Sequence, residues 1–489
     1  MVAVGVADVR PIVDRVCARP DVLEACRKRD VGYVIKALWE NGLTQGKMGA
    51  LTGRPQGRIS EWVTGKRAPQ HATVIDEIAT GLGFPPAARR ALGLTAEPPA
   101  TAVAGSSSGS PRLDTDLTFP DAPTEAADTL SQLWRADLED QTEPQRRTVD
   151  PRAWNDASLR WLVGPTPVTK NDSLGRVQVG MPDIQRFRTT VGMFDQLDDR
   201  FGGGNARKAL IQYLATDGER LLRGRFTDEV GRELHSAVAD ATRLAAWMTY
   251  DSTPSSGLAQ RYFVQALALA KAADNKPLGG DILDAMSHQA TYLGRYTEAA
   301  NLARAARSGA GNAATPTLTA HFHTMEARAL ARLGDAKGCD RALAEAVREF
   351  ERRNPNDDPE WIQYFDDVEL NAEIAHCYRD LGRADAAMQY ATRGLLAPGG
   401  ASLNRSDFFV AVVLADSCLA LGDVEQACAT VRQALDVAEQ LRSARCVGYL
   451  RDFGKRLARV GDTTSVVEFN STASQSRLWR IATRSAIAR

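Results

Sequence analysis

The chain has 489 residues, with 60 basic and 61 acidic side chains that give a formal net charge of −1. Its length exceeds what one hydrophobic core organises, so we expect two or more domains. Its near-neutral charge excludes a general attraction to nucleic acid, so any DNA-binding surface has to be sought locally. No run of 18 apolar residues and no signal-peptide pattern occurs, which predicts a cytoplasmic protein without a membrane partner.

The seven cysteines are scattered without CxxC spacing. Most of them fall at helical core positions, where a free thiol behaves as a small apolar group. This pattern indicates buried free thiols in a reducing compartment. Heavy use of alanine and arginine is typical of a GC-rich bacterial genome.

Short blocks of helically spaced apolar residues run from residue 30 to residue 94. Thr44 is a suitable N-cap for a short helix that ends at Gly53. A second short helix begins near Pro55, where proline fits the first turn, and ends at Gly65. Two short helices joined by a tight glycine turn predict a helix-turn-helix.

The segments LTQGKMGALTG, RPQGRISEWVTGKRAP and VIDEIATGLGF resemble the repressor-type helix-turn-helix family named for xenobiotic-response and phage repressors. The resemblance implies a recognition helix in the major groove of double-stranded DNA. Gln56 would pair with adenine and Glu61 would accept a hydrogen bond from cytosine. By the same carry-over, the full set of base-facing residues is Gln56, Gly57, Ser60 and Glu61, with Arg58 near bases or phosphate. Phosphates would be held by Gln45, Arg54, Lys66 and Arg67.

Local charge agrees with this interpretation. Between Thr44 and Gln70 there are five basic residues and one acid, Glu61. Such an excess on a small module provides a phosphate-binding surface although the whole chain is neutral.

Residues 95–125 include the run EPPATAVAGSSSGSPRLD. Proline, serine, glycine and alanine without periodicity predict a flexible, protease-sensitive linker. Residues 126–184 contain Trp134, Trp154 and Trp161 and are predicted to form a small connector, to which we assign no chemistry.

A repeated phrase organises the rest of the chain. It reads YLGRYTEA, RLGDAKGC, DLGRADAA, ALGDVEQA and RVGDTTSV, anchored by Gly294, Gly334, Gly382, Gly422 and Gly461 at spacings of 40, 48, 40 and 39 residues. A period in this range predicts stacked helical hairpins. Each glycine would let the chain leave the first helix with positive φ. The small residue five positions later would allow the two helices to approach closely.

This pattern resembles the tetratricopeptide repeat, although its period is longer. The predicted fold is all-α, with a helical extension (1–29), a helix-turn-helix domain (30–94), the linker (95–125), the connector (126–184) and a tetratricopeptide-like α-solenoid (185–480). In tetratricopeptide arrays the first helix of each hairpin lines a groove. The position six residues before each glycine is polar throughout and carries His288, Arg328, His376, Asp416 and Lys455. A second row four residues earlier includes Asp284 and Ala372, and Tyr292, Arg332 and Arg379 lie three to four residues further on.

Two interpretations of the polar row remain open. It is either a solvated helix face or a ligand groove in which forked arginine donors hold a peptide, a small molecule or a protein segment. In the groove interpretation Arg328 is exposed, and its replacement by alanine leaves stability nearly unchanged.

No catalytic constellation emerges. The six histidines lack metal-ligand spacing, and neither a phosphate loop nor a GxSxG motif occurs. Gly202–Gly204 would hold an anion at a helix N-terminus or simply form a loop. We therefore expect no enzyme activity, no cofactor and no metal.

A repressor-type head joined to helical repeats resembles the peptide-responsive bacterial regulators of quorum sensing and, more closely, the helical-repeat regulators of filamentous actinobacteria. The resemblance implies a homodimeric, nucleoid-associated transcriptional regulator whose repeats sense an effector. The alternative is a protein-interaction adaptor with a weakened DNA-binding head.

Overall fold

The computed structural model describes residues 10–52, 54, 56–65, 69, 72–94, 115–139, 148–164, 177–252, 256–395 and 405–487. The chain divides into two compact units, Met1–Ser110 and Pro111–Arg489. Within the described ranges the secondary structure is helical, apart from one isolated bridge between Gln178 and Arg225. The predicted all-α class is therefore confirmed.

In the first unit, the described residues form seven short helices. They are α1 (Arg10–Cys17), α2 (Pro20–Arg27), α3 (Val31–Glu40), α4 (Gln45–Thr52), α5 (Gln56–Val63), α6 (Ala72–Gly81) and α7 (Pro86–Ala91). Val16 and Val22 are fully buried in the same apolar core as Ile59 of α5. From residue 10 onward the predicted extension, 1–29, is thus part of this unit and not a separate element, because α1 and α2 supply part of its core. Residues 1–9 of that prediction lie outside the described residues.

Helix α4 is positioned by a cap and by two glycines. The Thr44 hydroxyl accepts a hydrogen bond from the Lys47 N–H at 3.3 Å, which confirms the predicted N-cap. A Cβ atom on Gly81 would lie 2.5 Å from the carbonyl oxygen of Leu51, so α6 approaches α4 only because that side chain is missing. Gly49 likewise gives room to the Arg54 carbonyl oxygen, which a Cβ would meet at 2.8 Å.

The second unit contains the remaining helices. It begins with a 3₁₀ turn (Thr115–Leu117), followed by α8 (Pro123–Leu138), α9 (Pro151–Val163), α10 (Met181–Phe201), α11 (Arg207–Tyr213), a π-helical turn (Leu214–Gly218), α12 (Glu219–Leu222), α13 (Asp228–Ser252), α14 (Ser256–Ala272), α15 (Lys276–Tyr292), α16 (Tyr296–Ala310), a 3₁₀ turn (Gly311–Ala313), α17 (Pro316–Leu333), α18 (Ala336–Glu351), 3₁₀ turns (Pro355–Asp357 and Glu360–Ile362), α19 (Asp367–Asp380), α20 (Ala384–Gly394), α21 (Arg405–Ala420), α22 (Val424–Ala438), α23 (Ala444–Leu457), α24 (Thr464–Ala473) and α25 (Arg477–Ile487).

Successive helices of this unit pack as hairpins, and the hairpins stack side by side. The pairs are α13 with α14, α15 with α16, α17 with α18, α19 with α20 and α21 with α22. The first helices of neighbouring hairpins also touch, from α13 through α15, α17, α19 and α21 to α23. These first helices therefore form one continuous inner layer.

The repeated phrase marks the hairpin turns. The five glycines have positive φ angles: Gly294 (77°), Gly334 (77°), Gly382 (73°), Gly422 (86°) and Gly461 (88°). Four of the small residues that follow are fully buried, namely Ala299, Cys339, Ala387 and Ala427. Both predictions from the phrase are confirmed. The longer interval of 48 residues is explained by the segment between α18 and α19, which holds two 3₁₀ turns outside the helices.

The predicted linker ends at an earlier residue than the sequence indicates. Residue 125 lies inside α8, and the Arg261 guanidinium pairs with Asp116 at 3.0 Å. The Gln265 side-chain amide donates to the backbone oxygens of Asp116 and Thr118. The end of the linker at 125 is therefore wrong, because residues 115–125 are bound to α14. Residues 95–114 of that prediction lie outside the described residues.

Helices α8 and α9 belong to the core of the second unit. Trp134 and Trp154 are fully buried there, in one cluster with Leu267 of α14. The Tyr262 hydroxyl donates to the Asp137 carboxylate at 2.9 Å, which ties α8 to α14. The described parts of the predicted connector, 126–184, are thus an integral layer of this unit.

Trp161 of α9 lies in a slot made by two glycines. A Cβ on Gly309 would lie 1.8 Å from the Trp161 ring, and one on Gly279 would lie 2.5 Å from it. The indole therefore needs glycine on both α15 and α16.

We expect Gly309→Ala to destabilise the protein by about 1–3 kcal/mol or more, because the added methyl group displaces the Trp161 ring. The matched control is Gly192→Ala, also inside a helix, where an added Cβ has nothing within 4 Å. The control is expected to stabilise by about 0.5–1 kcal/mol through helix propensity. Urea unfolding followed by circular dichroism measures the stability of both variants. Equal changes in stability would show that Trp161 does not require glycine at position 309.

The stack of hairpins closes on itself at Asp251, the penultimate residue of α13, whose side chain is 0% exposed. Its carboxylate accepts from Arg445 Nε at 2.7 Å, Ser443 Oγ at 2.9 Å and Arg405 at 3.3 Å. It also accepts from the Gly203 N–H at 3.2 Å. The last hairpins are thereby joined to the first.

Gly202–Gly204 form the loop that takes part in this closure. The Gly204 N–H donates to the Arg442 carbonyl oxygen at 3.0 Å, and a Cβ on Gly203 would lie 2.6 Å from the Met248 carbonyl oxygen. The three glycines therefore form a loop, which is one of the two predicted alternatives, and they allow close backbone packing in it.

All seven cysteines are buried and free, as the sequence indicates. Among the helices that the structure describes, none combines the length and apolar character that a membrane span requires.

Candidate functional site

The first candidate surface is the outer face of α5. Ile59, Trp62 and Val63 are buried in the core, 0%, 5% and 6% exposed, and they fix the helix in place. The opposite face starts with Gln56, Gly57 and Arg58, which are all exposed, and continues with half-buried Ser60 and Glu61. The apolar spacing of α5 thus presents the predicted base-facing residues on one side.

Two neighbouring side chains on this face form an ion pair. Arg58 and Glu61 approach to 3.5 Å across one helical turn, and both side chains remain over 40% exposed. An exposed pair of this kind contributes little to stability and can be exchanged for other partners.

The predicted phosphate-holding residues are only partly described. Gln45, at the start of α4, and Arg54, between α4 and α5, are both half-buried. Lys66 and Arg67 lie outside the described residues.

The second candidate site is a cavity of about 360 Å³ in the second unit, bounded by its inner layer of helices. Its charged and histidine lining residues are Asp195, Asp198, Asp199, Arg243, Asp281, Asp284, His288, His321, Arg328, Glu360, Glu369, Glu373, His376, Arg405 and Arg445. Its aromatic walls are Trp247, Trp361, Tyr364, Phe409 and Tyr449. Its volume is at the small end of the range for small-molecule sites.

Three of the seven predicted groove residues line this cavity: His288, Arg328 and His376. Their shared position, six residues before the turn glycine, places them on the inner layer. His288 Nδ1 lies 3.0 Å from the Tyr250 hydroxyl. His376 is 4% exposed, and its ring meets that of Tyr449 edge-on at 5.8 Å.

Arg328 is not the exposed donor that the sequence predicts. It is 8% exposed and donates twice to Glu373, at 2.9 and 3.0 Å. Burial opposes its charge, but Glu373 keeps the pKa of the guanidinium well above its usual value. Its fork is thus already occupied by a carboxylate of the protein.

The other four predicted residues lie outside the cavity lining. Asp416 accepts from Arg456 at 2.9 Å, and Arg379 pairs with Asp380 at 2.7 Å. Tyr292 and Arg332 are exposed, and the Arg332 side chain donates to a tyrosine hydroxyl at 2.7 Å. Arg332, Arg379 and Asp416 are linked through Asp380 into one ion-pair network outside the cavity, since Arg332 lies 3.6 Å from Asp380 and Arg379 lies 3.6 Å from Asp416.

The cavity also contains residues that the sequence did not single out. Helix α10 contributes Asp195, Asp198 and Asp199, and α21 and α23 contribute Arg405 and Arg445. The acidic run DQLDD of α10 does not by itself predict a cavity, since aspartates are mostly exposed. Of its three aspartates only Asp198 is fully buried.

Trp361 and Tyr364 come from the segment between α18 and α19. Because that segment accounts for the longest interval between repeats, the irregular spacing was the available sign that it has a separate role.

Each arginine of the cavity is held by carboxylates. Arg405 pairs with Asp198 at 2.9 Å, and Arg243 pairs with Asp240 at 2.9 Å and approaches Asp281 at 3.3 Å. The Arg445 guanidinium pairs with Asp251 and also lies 4.9 Å from the centre of the Trp247 ring. The positive charges that line the cavity are therefore neutralised within the protein.

Among the described residues, no group of three or more histidine, cysteine, aspartate or glutamate side chains has a metal-binding arrangement. No protein-family model matches the chain, and a search of curated proteins finds no match either.

Proposed function

We propose that this protein is a sequence-specific DNA-binding transcriptional regulator. Its first unit would bind DNA as a helix-turn-helix, and its second unit, a tetratricopeptide-like solenoid, would sense an effector and support a homodimer on a palindromic site. The protein would act in the cytoplasm at the nucleoid and would have no catalytic role.

The observation that supports this proposal is the two-sided character of α5. Ile59, Trp62 and Val63 anchor one face, while Gln56 and Arg58 at its N-terminal end are exposed on the other. In repressor-type proteins this end of the second helix contacts base edges in the major groove. A short amphipathic helix that holds an exposed glutamine and an exposed arginine at this end suits that role.

The first test is selection of duplexes from a randomised DNA pool by the full-length protein. We expect enrichment of a palindromic sequence. Sequence-blind, salt-sensitive binding would instead favour the adaptor, with a weakened head.

Gln56→Ala is then expected to lose about 1–3 kcal/mol at one base pair of the selected site and to relax specificity there, because a bidentate contact to adenine is removed. Competition binding on duplexes with single substitutions measures this effect. The matched control is Gln433→Ala, an exposed glutamine of α22, which should bind as the unchanged protein does. An unchanged base preference in Gln56→Ala would remove this residue from base recognition.

A further inference from the structure

The cavity carries more negative than positive groups. Eight carboxylates line it, against four arginines. The arginines are also shared with Asp240 and Asp251, which lie outside the lining. The charge of the cavity therefore remains negative even when His321 is protonated beside Asp284, at 2.8 Å.

Two carboxylates show this imbalance directly. Burial raises the pKa of Asp195 to about 6, and the attraction of Arg243 does not offset it. Burial, followed by repulsion from Glu373, raises the pKa of Glu369 to about 7. A carboxylate whose ionised form is penalised in this way gains from a cation placed beside it.

Two side-chain atoms on deeply buried residues of the lining also lack a hydrogen-bond partner within the described part of the chain. Asp284 is 1% exposed, and its Oδ1 makes no hydrogen bond. His376 is 4% exposed, and its Nδ1 makes none either. Burial, then Arg328 and Arg379, lower the pKa of His376 well below its usual value, so the ring is neutral and one nitrogen can accept. Unsatisfied buried acceptors favour a ligand that brings N–H donors.

We propose that the cavity binds a small organic cation with an ammonium or guanidinium group, held by Asp195, Asp284 and Glu369. These carboxylates come from three helices, α10, α15 and α19, placed around a space of about 360 Å³. This space is that of a small organic molecule and not of a single ion. The arginine fork expected to hold a carboxylate ligand is occupied by Glu373, so an anionic ligand would meet like charge. The proposal rests on the proposed sensing function and names its effector class.

The test is isothermal titration of the full-length protein at neutral pH with putrescine, agmatine and spermidine as probes, and with succinate and magnesium chloride for comparison. We expect saturable binding of at least one amine with one site per chain, and no saturable binding of succinate. Binding of succinate, binding of magnesium without any amine, or no binding of the three amines at millimolar concentration would each overturn the proposal.

Two neutral replacements locate the site. Glu369→Gln and Asp195→Asn are each expected to weaken amine binding about 10-fold or more, since each removes a charged acceptor. Both variants should fold, because each side chain is only half-buried and the neutral amide keeps its volume. The matched control is Glu425→Gln, an exposed glutamate of α22, with unchanged affinity. If the two cavity variants bind the amine as tightly as the control variant does, the amine binds elsewhere and the proposed site is rejected.

DNA binding separates this proposal from the function on which it rests. Amine binding without selection of any DNA sequence would support the cation site and reject the regulator. Selection of a DNA sequence without amine binding would reject the cation site alone. If the protein both binds an amine and selects a DNA sequence, the amine is expected to change the affinity for the selected duplex. The Glu369→Gln variant should lose that response.

Discussion

Replacing Asp251 by asparagine is expected to destabilise the second unit by about 3–5 kcal/mol, because it leaves Arg445 buried without a counter-ion. Arg405 keeps Asp198 at 2.9 Å, whereas Arg445 keeps only its aromatic neighbours. Asparagine preserves the volume of the side chain, so the loss of stability is caused by the missing charge and not by a cavity. Urea unfolding monitored by circular dichroism measures it.

The pH dependence of Asp251→Asn gives an independent check. Burial alone would raise the pKa of Asp251, but Arg445 and Arg405 hold it below its usual value. A carboxylate with a lowered pKa in the folded state stabilises the protein above its unfolded pKa of about 3.9 and loses that contribution as the pH falls through the folded value. The difference in the free energy of unfolding between Asp251→Asn and the unchanged protein should therefore be largest near neutral pH and decrease below about pH 4.

The control for Asp251 is Asp385→Asn, an exposed aspartate of α20, expected to change stability by no more than about 0.5 kcal/mol. A loss of under about 1 kcal/mol in Asp251→Asn would show that the closure does not depend on this carboxylate.

Arg328→Ala is also expected to destabilise by about 3–5 kcal/mol, since Glu373 would then be buried without its partner. Both side chains are under 10% exposed and joined by two hydrogen bonds. The double variant Arg328→Met with Glu373→Leu should recover most of this loss, because apolar side chains of similar volume remove both charges together.

The matched control is Arg348→Ala on α18. This arginine also pairs with a glutamate, but its side chain is 61% exposed, and the expected loss is under about 1 kcal/mol. Thermal unfolding of the four proteins gives the comparison. If Arg328→Ala is as stable as the control, the pair contributes nothing and Arg328 is available to a ligand after all.

The hairpins were predictable because their signal is local. A glycine with positive φ and a small residue five positions later are properties of a few adjacent residues, and both recur along the chain. The same holds for the N-cap of α4 and for the apolar spacing of α5, which are properties of a few adjacent residues.

The state of the groove residues was not predictable in this way. Arg328 is polar, and its sequence neighbourhood does not distinguish a solvated arginine from a buried one. Its partner Glu373 lies 45 residues away on the next hairpin. A buried ion pair across hairpins leaves no short-range pattern.

The closure at Asp251 depends on still longer separations. Arg405 and Arg445 lie 154 and 194 residues further along the chain. A periodic pattern predicts contacts between neighbouring repeats, and it does not indicate that the first and last hairpins meet. For the same reason only part of the cavity lining could be predicted from the sequence. Helices α10 and α23 line the cavity because the first and last hairpins are in contact.

A closed stack limits how such a protein can change in length during evolution. In an open array each repeat touches only its neighbours, so a duplicated or deleted unit leaves the others intact. Here an added hairpin between α15 and α21 would carry Arg405 and Arg445 away from Asp251 and open the enclosed space. Extra residues are tolerated instead between helices, as in the segment between α18 and α19. We therefore expect descendants of this chain to differ in their turns while keeping the number of hairpins constant.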